Sequence, residues 1–388
     1  MARPSQGVPA PLIDCDVHIT WRTTAELKPF LPRVWHDRLG AGRGAPRIQP
    51  AFHMPIRGYH KEAAVPLAGG PPGSDPETLA SDWLDRHSIA YAVLNHYDAP
   101  VISTWGDTDY PVALARAYND WLVARWLSHD PRFLGSMVVA TQDPHAAAVE
   151  IDRIGAHPQI VQVLLSSGAR LAYGARTFRP IHESAARHGL HLVIHTGTEG
   201  LGTSNPPTPA GWPSYAIEWR AGQPLNLSAH LVSLVTEGTF IEFPGLKVVL
   251  LEGGAAWLTQ LLWRLDKNFK PMRSECPWLI ELPSVYLKRN VRFGTHRLER
   301  PEDPSHLWAM LRPMDGSSSL LYASNYPHWD MEEPHEAQVL ASASPIDRHR
   351  IAYENARELY GLPPAEGSLT ALFQSHNKPS GRRHCRRR

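Results

Sequence analysis

Leu320-Leu321-Tyr322-Ala323-Ser324-Asn325-Tyr326-Pro327-His328-Trp329-Asp330 is an apolar run that stops abruptly in polar side chains able to bind a metal ion. Two other stretches end the same way: Leu12-Ile13-Asp14-Cys15-Asp16-Val17-His18 near the start, and Leu190-His191-Leu192-Val193-Ile194-His195 in the middle. Strand ends so far apart in sequence can meet only if their strands lie side by side and parallel. A closed ring of parallel strands arranges this, and it builds its active site at the C-terminal strand ends. The expected fold is therefore α/β, a (β/α)8 TIM barrel.

The rest of the chain fits that expectation. Strand candidates fall at Leu12–Asp16, Ile89–Asn95, Phe133–Ala140, Ile160–Leu165, Leu190–His195, Leu246–Glu252, Val291–Gly294 and Leu320–Ser324. Several are apolar at successive positions, as strands covered on both faces are. Between them, Ala115, Tyr118, Leu122 and Trp126, and again Trp257, Leu261 and Leu265, recur at helical spacing. Pro144 and Pro180 mark helix starts, and Gly189 a helix C-cap. The length beyond a typical barrel of about 250 residues sits in loops after strands 1 and 5, at 19–75 and 196–223. Both follow strands, so both are expected over the C-terminal mouth, where substrate contacts belong. The division this predicts is a disordered N-terminus at 1–10, a barrel at 11–363 and a disordered basic tail at 364–388.

Composition narrows the function. The chain has 388 residues, 43% hydrophobic and 20% charged, with formal net charge +1. This is soluble globular composition, and the near-zero charge argues against nucleic acid or a membrane surface as partner. No apolar run reaches the roughly 18–20 residues needed to span a bilayer, and no signal peptide is visible. A bacterial-type cytoplasm is the expected compartment. Cys15, Cys276 and Cys385 are too few and too scattered for a disulfide framework.

Asp16 and His18 are two apart on one strand, so they share a face and can take adjacent sites on one Zn²⁺- or Mn²⁺-type ion. Alone, that pair is as compatible with a turn cap, and His195 alone with a structural role; a barrel that brings both strand ends together changes the reading. Glu252 closes a very apolar strand before Gly253-Gly254, so it must be paired, metal-bound or protonated. It reads as a general acid or base, or as the partner of an arginine. Asn325 can offer a neutral oxygen to a metal but cannot accept a proton near neutral pH. Asp330 reads as a loop or helix-cap residue.

These segments resemble the amidohydrolase-related (amidohydrolase 2) superfamily, and within it the metal-dependent decarboxylases of the aminocarboxymuconate-semialdehyde and γ-resorcylate type. The resemblance runs from Ile13 to about Leu362. It rests on Ile13–His18, Leu192–Gly197, Phe243–Gly254, Ala323–Asp330 and the closing Glu354–Leu362. It implies one divalent ion, Zn²⁺ or Mn²⁺, held by Asp16, His18 and His195, with Asn325 at a position where the family has Asp. A His on strand six assists in the family; Glu252 stands there. The implied function is a metal-dependent lyase or hydrolase acting on a small carboxylated or carbonyl-containing molecule, decarboxylase-like or hydrolytic. Glu252 would move the proton, Asn325 would sit at the reacting centre, and Arg22, Arg170, Arg220 and Arg297 are candidates to clamp a substrate carboxylate. The alternative is a metal-poor barrel with a reshaped site that binds a small molecule or runs non-hydrolytic chemistry, because Asn325 replaces the carboxylate. A homodimer is the family-based expectation.

Overall fold

Runs such as Val248-Val249-Leu250-Leu251 bury every side chain, so they are stable only where both faces of a sheet are covered. The computed structural model describes residues 11–40, 60–61 and 64–365. It places eight strands in one parallel sheet whose order follows the sequence. They are β1 (Leu12–Ile19), β2 (Ile89–His96), β3 (Phe133–Val138), β4 (Ile160–Ser166), β5 (His191–His195), β6 (Val248–Leu251), β7 (Val291–Gly294) and β8 (Leu320–Leu321). The ring closes where Cys15 N–H donates to Tyr322 O at 2.9 Å and Asn325 N–H to Asp16 O at 3.0 Å. With helices between its strands, this is the expected (β/α)8 barrel. The expected N-terminal disorder and almost all of the basic tail, with Cys385, lie outside the described residues.

Most strand bounds shift by a residue or two from expectation, and at two ends the reason is visible. β1 runs on to Ile19, which puts His18 on the strand with Asp16. β8 stops at Leu321, because groups outside the sheet ladder take its next donors: Tyr322 N–H bonds Ile351 O, Ala323 N–H bonds Thr295 Oγ1 and Ser324 N–H bonds Asp14 Oδ1, each at 3.0 Å. The helix signals hold. Asp143 accepts from the N–H groups of His145 and Ala146 at the head of helix Pro144–Ile154. Gly189 has φ +67°, the left-handed turn that ends helix Arg179–Arg187. The segment after β5 is loop only as far as Tyr215. Helix Ala216–Thr236 begins there, its first turn secured by Glu218 Oε2, which accepts from Ser214 N–H at 2.7 Å. The loop expected over 196–223 thus gives way to helix at Ala216, and Pro224 lies inside that helix. Arg220 therefore rides on a helix.

Candidate metal centre

Four side chains from three strand ends converge at the C-terminal mouth. Asp16, His18, His195 and Glu252 each offer one ligand atom, and these atoms all lie within 4.8 Å of one another. All are buried or nearly so, Asp16 completely. His195 Nδ1 lies 2.6 Å from Thr196 O, so it carries the proton and donates to that carbonyl. His195 Nε2 then faces Asp16 Oδ2 at 3.7 Å and Glu252 Oε2 at 3.8 Å. Asp16 Oδ2, His195 Nε2 and His18 Nδ1 are buried and have no hydrogen-bond partner among the described residues. Orphaned polar atoms at that depth are costly unless a cation joins them. The titration preferences agree. Burial alone would lower His195, but Glu252 and Asp16 outweigh it and raise it to about 9, as expected where positive charge is wanted. His18, where burial dominates, is lowered to about 4 and stays neutral, the form that ligates. Two imidazoles and two carboxylates suit a borderline divalent ion. The residues fit the group.

Glu252 is held from the other side as well. Arg297 Nη1 lies 3.1 Å from its Oε2 and His296 Nδ1 3.5 Å from its Oε1. Burial would raise this carboxyl, but Arg297, His195 and His296 override it and hold it well below the usual range. Glu252, Arg297 and Asn325 have φ of 61°, 60° and 62°. Asparagine tolerates that left-handed region; glutamate and arginine rarely visit it, at about 1–2 kcal/mol each. The glycines after Glu252 are needed for close approach: a Cβ on Gly253 would meet Leu227 at 2.0 Å, and one on Gly254 the Glu299 carboxylate at 2.5 Å.

Asn325 is fully buried, and its Nδ2 donates to Asp330 Oδ1 at 3.2 Å, which leaves its Oδ1 without a partner among the described residues. Asp330 does lie in a loop, yet it is the hub of the site rather than a cap. His328 Nδ1 bonds it closely, Arg220 Nη1 lies at 2.8 Å and Arg297 Nε at 3.4 Å. Of the four candidate arginines, Arg220 and Arg297 line the cavity beside the metal-binding group. Arg22 and Arg170 do not. Arg22 is engaged by Asp75, and Arg170 is exposed, bonded to Thr203 Oγ1 at 2.9 Å. Sequence reading assigned no role to His296 or His328; each follows a strand end, β7 or β8, which was the available signal. Tyr97, Pro100, Leu164 and Trp219 give the cavity apolar and aromatic walls.

Comparison with known proteins places this geometry. The chain is 24% identical over 312 residues to a γ-resorcylate decarboxylase of Rhodococcus jostii, covering 74% of this chain and 88% of that protein. Its fold matches that of 5-carboxyvanillate decarboxylase from Sphingomonas paucimobilis with TM-score 0.65 and 22% identity, over 91% of this chain and 100% of that one. It also matches a dihydroxybenzoic acid decarboxylase from Polaromonas sp., solved with bound manganese and the inhibitor 2-nitroresorcinol, with TM-score 0.62 and 19% identity, over 92% and 98% of the two chains. The amidohydrolase family model matches residues 13–362, nearly the whole barrel, and with it the chain belongs to the amidohydrolase family.

Proposed function

We propose that the protein is a metal-dependent carboxy-lyase that removes CO₂ from a small hydroxylated aromatic carboxylate. The observation that carries this reading is the buried Asp16, His18, His195 and Glu252 group opening into a cavity walled by aromatic side chains and two arginines. Its γ-resorcylate decarboxylase relatives support the substrate class. When bound, a divalent ion supplies positive charge that polarises a substrate oxygen. The chain's own residues do the rest. Arg220, whose Nη2 has no partner among the described residues, orients the carboxylate. Tyr97 and Trp219 flank the ring and exclude water. In the reaction the ring carbon takes a proton, the bond to the carboxylate breaks, its electron pair returns to the ring and CO₂ leaves.

Glu252, held as an anion by Arg297, is a poor proton donor and serves better as the fourth ligand. His328 lines the cavity and is backed by Asp330 through Nδ1, so it is the group we assign to carry the proton. Hydrolysis is disfavoured because it needs a base beside water, and the carboxylates here are held low. We further read the chain as one catalytic unit over 11–363, a cytoplasmic homodimer without nucleic-acid or membrane partners. No helix among the described residues is long and apolar enough to cross a membrane. Helix Trp257–Met272 presents Trp263 and Met272 at 63% and 48% exposure, apolar area that a second copy would cover; sedimentation measures this directly.

The test is CO₂ release from a panel of hydroxybenzoates by manganese-loaded protein. Turnover is expected, falling about 100-fold or more in His328→Gln with ion content unchanged, whereas Glu252→Gln loses ion affinity. Ion-loaded protein that hydrolyses esters and decarboxylates none of the panel would overturn the assignment.

A further inference from the structure

The interior of a (β/α)8 barrel is ordinarily filled by layers of branched apolar side chains. Here a line of polar side chains crosses it. Tyr360 Oη donates to Gln162 Oε1 at 2.7 Å, and Gln162 Nε2 donates to Ser136 Oγ at 2.7 Å. Ser136 Oγ donates to Asn95 Oδ1 at 2.6 Å, and Asn95 Nδ2 donates to Asp16 Oδ1 at 2.9 Å. Gln162, Ser136, Asn95 and Asp16 are all 0% exposed. They come from β4, β3, β2 and β1, one residue per strand.

Every amide and hydroxyl in this line has one orientation that satisfies it. The Asp16 carboxylate can only accept, so Asn95 turns its nitrogen to it; at the other end the Tyr360 hydroxyl gives its proton to Gln162 Oε1, and the Gln162 nitrogen faces Ser136. Ser136 Oγ then accepts from Gln162 and commits its own proton to Asn95. Asn95 Oδ1, which also receives Gln162 Nε2 at 3.3 Å, is left facing donors, so its nitrogen must face Asp16. Turning Asn95 around would set its oxygen against the Asp16 carboxylate, and turning Gln162 around would set its oxygen against Asn95 Oδ1, acceptor against acceptor in a dry interior, at the cost of an unsatisfied buried group. Asp16 Oδ1 is thereby occupied by an N–H, and Oδ2 alone is left without a partner, 3.7 Å from His195 Nε2.

We propose that Asn95 is a positioning residue for the metal centre, and that Tyr360, Gln162 and Ser136 set its amide so that Asp16 presents a single oxygen to the ion. This rests on the metal-dependent reading above. It assigns work to Tyr360, Gln162 and Ser136, none of which lines the cavity. Side chains that orient ligands in this manner change metal affinity about 10- to 100-fold when removed.

The experiment is Mn²⁺ affinity by competition with a chelator for the wild type, Asn95→Ala and Gln162→Leu, with thermal unfolding of each metal-free protein alongside. Asn95→Ala is expected to bind Mn²⁺ about 10- to 100-fold more weakly. Gln162→Leu, one residue further along the line than Ser136, is expected to weaken it in the same direction, about 3- to 10-fold, since it releases the Asn95 amide without touching Asp16. A purely structural line would lower the metal-free unfolding temperature and leave the affinity unmoved, and that result overturns the proposal. If Asn95→Ala does not fold, Ser136→Ala reads the same link. A wild type that takes up no Mn²⁺ refutes the metal reading itself; variants that bind as tightly as a binding wild type refute only this inference.

Discussion

Asn325 sits where the resemblance expects a carboxylate, and its surroundings say what that change does. Its amide nitrogen is bound to Asp330, while Arg220, Arg297 and His328 crowd the same carboxylate. The negative charge missing from position 325 is thus present beside it, on Asp330, and Glu252 supplies a second within the group of Asp16, His18 and His195. Asn325→Asp is therefore expected to act in two opposite directions. A new carboxylate near the ligand group should tighten Mn²⁺ binding about 10-fold in chelator competition. Without the ion it loses the hydrogen bond to Asp330 and sets like charges together, so metal-free protein should be less stable by about 1–3 kcal/mol. Unchanged affinity would place Asn325 outside the ligand set.

At the scale of elements, the barrel's closure depends on one buried carboxylate that no metal needs. Asp14, on β1, accepts from Ser324 N–H and Oγ–H, from Trp83 Nε1 at 3.0 Å and from Asp16 N–H at 3.2 Å. These bonds tie the end of β8 and the helical segment before β2 to the first strand. Asp14→Ala would leave four donors unpaired in the core, at least about 3 kcal/mol of stability, measured by urea unfolding. Because Asp16 is two residues along the same strand, ion binding should weaken with it. The same element shows where sequence reading stops. Alternation and apolar length disclose that β1 exists and that Asp16 and His18 share a face. That Asp14 bonds Ser324 beyond β8, while Asp16 faces His195, depends on what stands opposite each, and those partners lie far away in the chain.

For the whole molecule, buried histidines give stability a direction in pH. His230 is lowered to about 4 and His182 to about 3, in each case by burial first. A histidine depressed below its ordinary 6.5 is neutral in the fold and protonated in the unfolded chain. Its contribution is fully present above pH 6.5 and is lost as pH falls toward the folded value, by about 1.4 kcal/mol per pH unit for each group. Asp14, raised by burial to about 6, works the other way between 3.8 and 6. His195, raised to about 9, also works the other way but only above 6.5, whereas His18, lowered to about 4, adds to the loss below it; three histidines then outweigh one carboxyl, so urea stability should drop between pH 6.5 and 5. His230→Asn should shallow the slope; an unchanged slope would mean His230 is not titrating. His230 donates from Nε2 to Ser167 O at 2.9 Å and accepts Tyr173 N–H at Nδ1, which protonation would break.

Taken alone, the sequence determined the eight-strand barrel and pointed to three of the four residues that the fold groups together, Asp16, His18 and His195, and flagged the fourth, Glu252, as a charge that needed a partner. The physical reason is local: a strand buried on both faces must be continuously apolar, and a polar residue that ends such a run must sit at its rim. Only the tertiary structure decided the rest. Four arginines looked equivalent as carboxylate clamps, and two turned out to face the cavity, because helix Ala216–Thr236 and the turn after β7 aim Arg220 and Arg297 inward while Asp75 and Thr203 hold the others elsewhere. Asp330 looked like a loop residue and is the hub of four site side chains. Asn95, Ser136 and Gln162 were unremarked polar letters in apolar strands, and they form one line only because the barrel sets their registers level. Contacts between residues distant in the chain depend on strand register and helix rotation, and neither is written in any single segment.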